Sequence, residues 1–263
     1  MTNTDTVIYS SWCLSDNFGD KLTPYLIEKI SGKKCVWSPP ESDIEKFLVT
    51  GSILNWEMKN AISWGCGLAS KDDRVGVEKV VMVRGLISKY MAVLKGFEND
   101  IAIGDPALLL PRFYTPPVTK KYQLGVFCHY IDADVISYNL LSQFPDDVVL
   151  INPLGDIEEV IDLVCSCHRV ISNSLHGLIV ADAYGIPSRW VKFSDRILGD
   201  GTKYMDYYSS IGYDIGTKVV DLRNNIDIES LLAVECDLKY LKIDLDAMMN
   251  CCPFLPEKEN NND

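Results

Sequence analysis

Short apolar runs alternate with helical patterns along almost the whole chain, and this alternation limits the possible folds more than any other feature of the sequence. Strand-like runs lie at 7–9, 47–49, 61–64, 79–83 and 101–103, and again at 124–127, 148–151, 169–171, 189–191 and 218–220. Helical patterns lie at 20–30, 86–95, 133–143, 156–165, 177–184, 203–210 and 226–250. Strands that alternate with helices predict parallel sheets whose two faces are covered by helices.

A segment without periodicity divides this pattern into two halves. Residues 111–121 contain three prolines and match neither a helix nor a strand, which is typical of a linker. We therefore expect an α/β protein with two Rossmann-like lobes that face each other across a cleft. The expected units are an N-terminal lobe over 1–115, a C-terminal lobe over 122–250 and a polar tail over 251–263.

Composition narrows the classes of partner. The chain has 37 acidic and 25 basic residues and a net charge of −12, which argues against nucleic acid as the main partner. An anionic ligand would need a locally basic cleft. No apolar stretch reaches the roughly 18 residues of a membrane-spanning helix, and residues 1–6 do not resemble a signal peptide. Nine scattered cysteines without a C-x-x-C pair predict reduced thiols, a cytoplasmic protein and no metal site.

The residues after each predicted strand are the candidate functional residues, because ligands of parallel sheets bind beyond the carboxyl ends of the strands. The strongest signal is an apolar run that leads into Ser172, Asn173 and Ser174, followed by His176 at the start of a helix. Free backbone N–H groups at a helix start suit a phosphate or carboxylate, and a histidine there can transfer a proton. The alternative is plain N-capping beside a surface histidine.

Other candidates follow strands in both halves. Arg84 can bind a carboxylate or phosphate, or form a surface ion pair with a neighbour such as Glu78. Asp105 is a strand-end carboxylate or a turn residue, and His129 follows the first strand of the second half. A basic cluster near the histidine helix is either a solvated face or a second set of ligands for the same anion. Its members are Arg189, Lys192, Arg196 and Lys203.

The first half contributes small and polar residues at its strand ends. Asn17 and Asp20 lie between the first strand and the first helix, where Asp20 suits helix capping or binding of a sugar hydroxyl. Gly51 and Ser52 permit close approach of a ligand. Trp64 suits either sugar stacking or core packing. The G-x-G-x-x-G pattern of dinucleotide-binding proteins is absent.

Taken in order, these segments resemble the polysaccharide pyruvyltransferase family over most of the chain. The matching segments are 17–20, 50–52, 64–67, 83–85 with Ser88, 104–107, 128–130, 172–187 and 206–208. The most specific is Ser-Leu-His-Gly followed by Ala-Tyr-Gly-Ile-Pro. The chain departs from the family in two places. Ser174 replaces a basic residue found in some members, and Cys128 replaces the proline of the family's Pro-His-Tyr segment.

The resemblance implies a two-lobed fold similar to the GT-B glycosyltransferases, and transfer of pyruvate from phosphoenolpyruvate to two hydroxyls of a sugar as a cyclic ketal. By similarity, Arg84 and His176 match the family's donor-binding and catalytic positions. The residues that we expect to be catalytic are His176, Arg84, His129 and Asp105. Those expected to bind the donor are Arg84, Ser172, Asn173, Ser174, His176 and Lys192. Those expected to bind the acceptor are Asn17, Asp20, Gly51, Ser52 and Trp64.

The resemblance also implies the partners. We expect phosphoenolpyruvate as donor substrate, no cofactor, and a lipid-linked oligosaccharide acceptor from a bacterial capsule or exopolysaccharide precursor, reached at the inner face of the membrane. Residues 245–255 either touch that membrane or form a docked C-terminal helix. Two other functions stay open: a GT-B nucleotide-sugar glycosyltransferase, and a non-catalytic partner in polysaccharide assembly.

Overall fold

A computed structural model describes residues 7–136, 138–214, 216 and 219–256. The first sheet is built from strands β1 Val7–Ser10, β2 Lys34–Trp37, β3 Lys46–Leu48, β4 Ala61–Trp64, β5 Lys79–Val83 and β6 Ala102–Ile103. They pair in parallel in the order β2-β1-β3-β4-β5-β6. With helices α1 Phe18–Ser31 and α2 Leu86–Lys95, and a 3₁₀-helix over Pro106–Arg112, they form the N-terminal lobe.

The second sheet contains β7 Leu124–Phe127, β8 Val148–Ile151, β9 Val170–Ser172, β10 Ser188–Lys192 and β11 Val220–Asp221. These strands are also parallel, in the order β11-β10-β9-β7-β8. The helices are α3 Tyr138–Leu141, α4 Ile157–Cys165, α5 Leu175–Ala183, α6 Thr202–Ser210, α7 Ile228–Ala233 and α8 Leu245–Asn250. The sheet and α3 to α7 form the C-terminal lobe. The predicted α/β fold with two parallel-sheet lobes is therefore confirmed.

The structure differs from the sequence expectations in two places, and two other expected segments lie partly outside the described residues. The sequence did not predict β2, a four-residue edge strand that begins at the exposed Lys34. Within the range 133–143, where a helix was expected, the described residues form only the short α3, which follows a 3₁₀ turn over Tyr130–Asp132. The expected strand over 218–220 begins outside the described residues, as does most of the polar tail, 257–263.

The C-terminal segment returns to the N-terminal lobe, so the expected lobe boundary at residue 250 is wrong. The indole N–H of Trp64 donates a hydrogen bond to the backbone oxygen of Met248 (3.1 Å), and Phe254 packs edge-on against the same indole. Met248, Cys252 and Phe254 are buried, because the first lobe provides the apolar surface that covers them. The docked-helix alternative for residues 245–255 is confirmed.

One apolar core runs through both lobes. Phe18 on α1 and Phe127 at the end of β7 pack edge to face, with ring centroids 5.8 Å apart. The first backbone N–H of α1 donates to the oxygen of Pro153 in the other lobe (2.7 Å). Within the described part of the chain, no helix is long and apolar enough to cross a membrane.

A buried ion pair joins α2 to α6 across the lobes. The Oδ1 of Asp206 accepts from the backbone N–H of Ser88 (2.9 Å), and its Oδ2 accepts from the Ser88 hydroxyl (2.6 Å) and from Nε of Arg84 (3.1 Å). Asp206 thus caps a helix that has no side-chain cap from its own N-cap residue, Gly85. Arg84 and Asp206 are fully buried. The surface ion pair considered for Arg84 is therefore wrong.

We expect the variant Asp206→Asn to lose about 3–5 kcal/mol of unfolding free energy, because it leaves the Arg84 charge buried without a counter-charge. Urea unfolding followed by circular dichroism measures this loss. The matched control is Asp221→Asn, which breaks an ion pair with Arg223 at the protein surface. That control should cost less than about 1 kcal/mol. Equal losses in the two variants would contradict the structural role of the buried pair.

Candidate active site

The carboxyl ends of strands from both lobes surround a cavity of about 180 Å³. Segments that follow β1, β3, β7 and β9 form its walls, together with α6. Residues that follow strands of both lobes therefore line the same cavity. The polar and aromatic side chains that line it are those of Cys13, Asn17, Asp20, Ser52, Trp56, His129, Tyr130, Ser174, His176 and Lys203.

His176 lies at the second position of α5, with its imidazole backed by Asp105. The imidazole Nε2 is 3.6 Å from Oδ2 of Asp105, and both atoms are buried without a hydrogen-bond partner among the described residues. The other carboxylate oxygen of Asp105 accepts from the backbone N–H of Ala107 (3.0 Å). A buried carboxylate behind an imidazole holds the ring in one orientation. Asp105 is fully buried and does not line the cavity, so it positions His176 and does not touch a ligand.

Gly19 makes room for the same imidazole from the opposite lobe. Gly19 is the second residue of α1, and a Cβ atom at this position would overlap Nδ1 of His176. The Asn-Phe-Gly-Asp segment and the Ser-Leu-His-Gly segment, separated in sequence, therefore meet at one ring. The absence of a side chain at position 19 is a steric requirement of the site.

His129 lies across the cavity as a neutral ring. Its Nδ1 accepts a hydrogen bond from the backbone N–H of Ile131 (3.3 Å), and its ring stacks on Tyr130. Burial lowers the pKa of His129 to about 4, and the positive charge of Lys203 acts in the same direction. A neutral ring whose Nδ1 accepts carries its proton on Nε2. The sequence analysis expects His129 to be catalytic, and the geometry favours hydrogen-bond donation from Nε2 at this position.

Two of the expected donor ligands are instead occupied in holding the loops. Asn173 accepts from the backbone N–H of His129 (2.7 Å) and donates to Asp132 (2.8 Å). Ser172 hydrogen-bonds to the backbone oxygen and backbone N–H of Ser174. Both side chains are buried and hydrogen-bonded to protein groups, so they hold the loops of the site in place. Ser174 does line the cavity, and its hydroxyl does not cap α5.

Arg84 does not line the cavity itself, but it contacts Ser52, which does. Its Nη1 donates to Oγ of Ser52 (2.8 Å), while Nη2 donates to the backbone oxygen of Leu68 (2.5 Å) and pairs with Asp206. Each nitrogen of the guanidinium thus has a protein partner, and Arg84 does not line the cavity. Direct donor binding by Arg84, as expected from the sequence, is not what this geometry favours.

The expected acceptor residues divide into two groups. Asn17, Asp20, Gly51 and Ser52 line the cavity, whereas Trp64 does not. Trp64 is fully buried beneath the C-terminal segment, so the sugar-stacking role is wrong and core packing is correct.

Lys203, which the sequence placed only within a basic cluster, is the lysine that lines the cavity. It is 8% exposed, and its ammonium group has no hydrogen bond or ion pair among the described residues. Burial lowers its pKa to about 8. Lys192, the residue chosen from sequence, instead borders a separate cavity of about 360 Å³ and pairs with Asp195 (3.1 Å). Sequence alone could not separate these two lysines, because only the fold shows which one turns inward.

Comparison with known proteins agrees with the family resemblance of the sequence motifs. A family model described as polysaccharide pyruvyl transferase matches residues 35–195, more than half of the chain. The uncharacterized protein L143 of Acanthamoeba polyphaga mimivirus is 31% identical over 219 residues, which are 79% of this chain and 75% of that protein. The succinoglycan biosynthesis protein ExoV of Rhizobium meliloti (strain 1021) is 27% identical over 209 residues. That match covers 74% of this chain and 62% of the ExoV protein.

A solved structure also resembles the chain at low identity. The protein KP1_0663 of Klebsiella pneumoniae subsp. pneumoniae NTUH-K2044 shares 13% identity with a TM-score of 0.47. The match covers 82% of this chain and 92% of that one.

The steric role of Gly19 predicts the behaviour of Gly19→Ala. The added methyl should displace the His176 ring and reduce the unfolding free energy by about 1–3 kcal/mol, as overpacking does. The chain has three histidines, so the ring resonances of His176 can be resolved by proton–carbon NMR. We expect them to shift while those of the exposed His168 stay in place.

Gly155→Ala is the control for this variant. It adds the same methyl where the nearest heavy atom is 3.3 Å away, so all three histidine spectra should be unchanged. An unmoved His176 resonance in Gly19→Ala would show that the imidazole does not lie against α1.

Proposed function

The chain belongs to the polysaccharide pyruvyl transferase family, and on that premise we propose that it transfers pyruvate from phosphoenolpyruvate to two hydroxyls of a sugar. The observation that carries the proposal is His176, held by buried Asp105 at the start of α5 inside a cavity shared by both lobes. The ExoV relative is a succinoglycan biosynthesis protein, which supports a polysaccharide precursor as acceptor.

The proposed reaction begins with protonation of the donor. His176 gives a proton to C3 of phosphoenolpyruvate, which becomes the methyl group, and C2 becomes electrophilic. A sugar hydroxyl forms the first C2–O bond, the bond from C2 to the phosphate oxygen breaks, and phosphate leaves with the bonding electrons. A second hydroxyl then closes the cyclic ketal. Of the two hydroxyl protons, one restores His176 and the other leaves with phosphate.

The two nitrogens of His176 have different roles in this scheme. Nε2 is buried against Asp105 and has no access to a ligand. Proton transfer is therefore assigned to Nδ1, with Asp105 as the positioning residue that directs this nitrogen away from itself. General acid–base catalysis of this kind contributes about 10²- to 10⁴-fold to a rate.

Asp20 is proposed to act on the acceptor side. Among the described residues that line the cavity, Asp20 is the carboxylate, and it is oriented by the hydroxyl of Ser15 (2.5 Å) and the amide of Asn17 (3.3 Å). A carboxylate here can accept the proton of an attacking hydroxyl. His129, neutral and with Nδ1 engaged, is assigned to hydrogen-bond donation to the bound substrate.

The family and the ExoV relative support a polysaccharide-related acceptor. We propose an oligosaccharide precursor of a capsule or exopolysaccharide, carried on a lipid and modified at the cytoplasmic face of the inner membrane. In this proposal the two lobes act in the GT-B manner, with donor bound toward α5 and acceptor bound toward α1. The reaction as written uses no cofactor.

The test is a transfer reaction with phosphoenolpyruvate and galactose-, glucose- and mannosamine-containing oligosaccharides. Phosphate release and the proton NMR signal of the ketal methyl group report turnover. His176→Gln should reduce the rate by about 10²- to 10⁴-fold. His168→Gln, in an exposed segment, is the control and should retain the full rate.

Two other results would contradict the proposal. Transfer from a UDP-, GDP- or CMP-sugar without consumption of phosphoenolpyruvate would indicate a glycosyltransferase. Binding of phosphoenolpyruvate by calorimetry without turnover of any acceptor would favour the non-catalytic partner.

A further inference from the structure

Lys203 differs from the other buried lysines in having no acceptor. The described chain has three buried lysines: Lys46, Lys203 and Lys239. The ammonium of Lys46 donates to backbone oxygens, including that of Lys59 (2.9 Å), and that of Lys239 pairs with Asp182 (3.1 Å). Buried charges are normally paired in this way, because an unpaired one is costly. Among the described residues Lys203 has no such partner, and its ammonium lies over the neighbouring ring of Tyr204.

The start of α5 is open on the same cavity. This nine-residue helix begins at Leu175, and the side chain of its N-cap residue, Ser174, makes no capping hydrogen bond. Its N-terminal residues line the cavity together with Lys203. The positive end of a helix and an unpaired ammonium therefore converge on one small space, which is the combination that binds phosphate.

We propose that Lys203 and the N-terminus of α5 bind the phosphoryl group of phosphoenolpyruvate, and that Lys203 thereby supplies the cation that this chain lacks at Ser174. The assignment deepens the proposed function and rests on it. The Lys203 ammonium and the N-terminus of α5 are two positive groups that face the same space. We assign the phosphoryl group to them, and not the carboxylate, because the phosphoryl group carries about two negative charges. The ammonium would also stabilise the phosphate as it leaves.

The charges around Lys203 predict how binding depends on pH. The groups that act on its ammonium are Arg84, whose charge is neutralised by Asp206, and Asp20, while the neutral His129 lies across the cavity. The pKa of about 8 means that Lys203 loses its proton above pH 8. Since the donor's phosphoryl group is already doubly charged there, its affinity should fall as pH rises through this value.

Isothermal calorimetry with phosphoenolpyruvate, inorganic phosphate and pyruvate tests the assignment on the full chain. Lys203→Met should weaken binding of phosphoenolpyruvate and of phosphate by roughly 10- to 100-fold, the effect of losing one charge-assisted hydrogen bond, and leave pyruvate binding unchanged. Lys203→Arg should keep the affinity and remove its decline between pH 7 and 9.5. Unchanged thermal unfolding of both variants confirms that they are folded.

Two further variants sharpen the test. Lys33 lies just beyond the far end of α1, about 20 Å from the cavity at 1.5 Å per residue. The control variant Lys33→Met should therefore bind phosphoenolpyruvate like the wild type. Lys192→Met removes the rival lysine. A loss of affinity in Lys192→Met but not in Lys203→Met would overturn the assignment, as would a loss confined to pyruvate. If the wild type does not bind phosphoenolpyruvate at all, the proposed function itself fails.

Discussion

The buried pair between Arg84 and Asp206 is the interaction on which the site depends. Asp206 caps α2 from the other lobe and neutralises Arg84, which in turn donates to Ser52 at the cavity wall. Lys203 lies three residues before Asp206 on α6, so it is on the same side of the helix. The contact that joins the lobes therefore also directs Lys203 into the cavity. A single electrostatic interaction organises both halves of the candidate site.

Around the cavity, some residues hold other side chains and loops in place, and different residues are available to bind a ligand. Asp105 and Gly19 define the place of the His176 ring, one by charge and the other by the absence of a side chain. Asn173 holds the loop of His129 through a backbone hydrogen bond. Each of these positioning residues is buried and satisfied by, or packed against, protein groups. The residues available to bind a ligand are those whose polar atoms do not already form hydrogen bonds or ion pairs with other described residues.

Much of the fold was predictable because it depends on neighbours along the chain. Periodicity located β4, β5, β7 and β8 with their observed bounds, since each is an apolar run flanked by polar residues. The edge strand β2 was missed because it is short, with only three apolar residues after the exposed Lys34. The return of Phe254 to the first lobe was missed for another reason: an apolar residue near the end of a chain does not indicate which surface will cover it.

The sequence by itself determined which residues could take part in chemistry. Two local patterns show this: a histidine after small polar residues at a strand end, and a glycine and carboxylate at the first helix. Both can be recognised from neighbouring residues in the sequence, without knowledge of long-range contacts. Tertiary structure decided which charges remain available. Arg84 follows a strand and Lys203 lies on α6. Arg84 pairs with Asp206, which is 122 residues away, whereas Lys203 pairs with no carboxylate among the described residues. Neutralisation of a buried charge depends on residues that are distant along the chain, so only the packing of α6 against α2 could decide it.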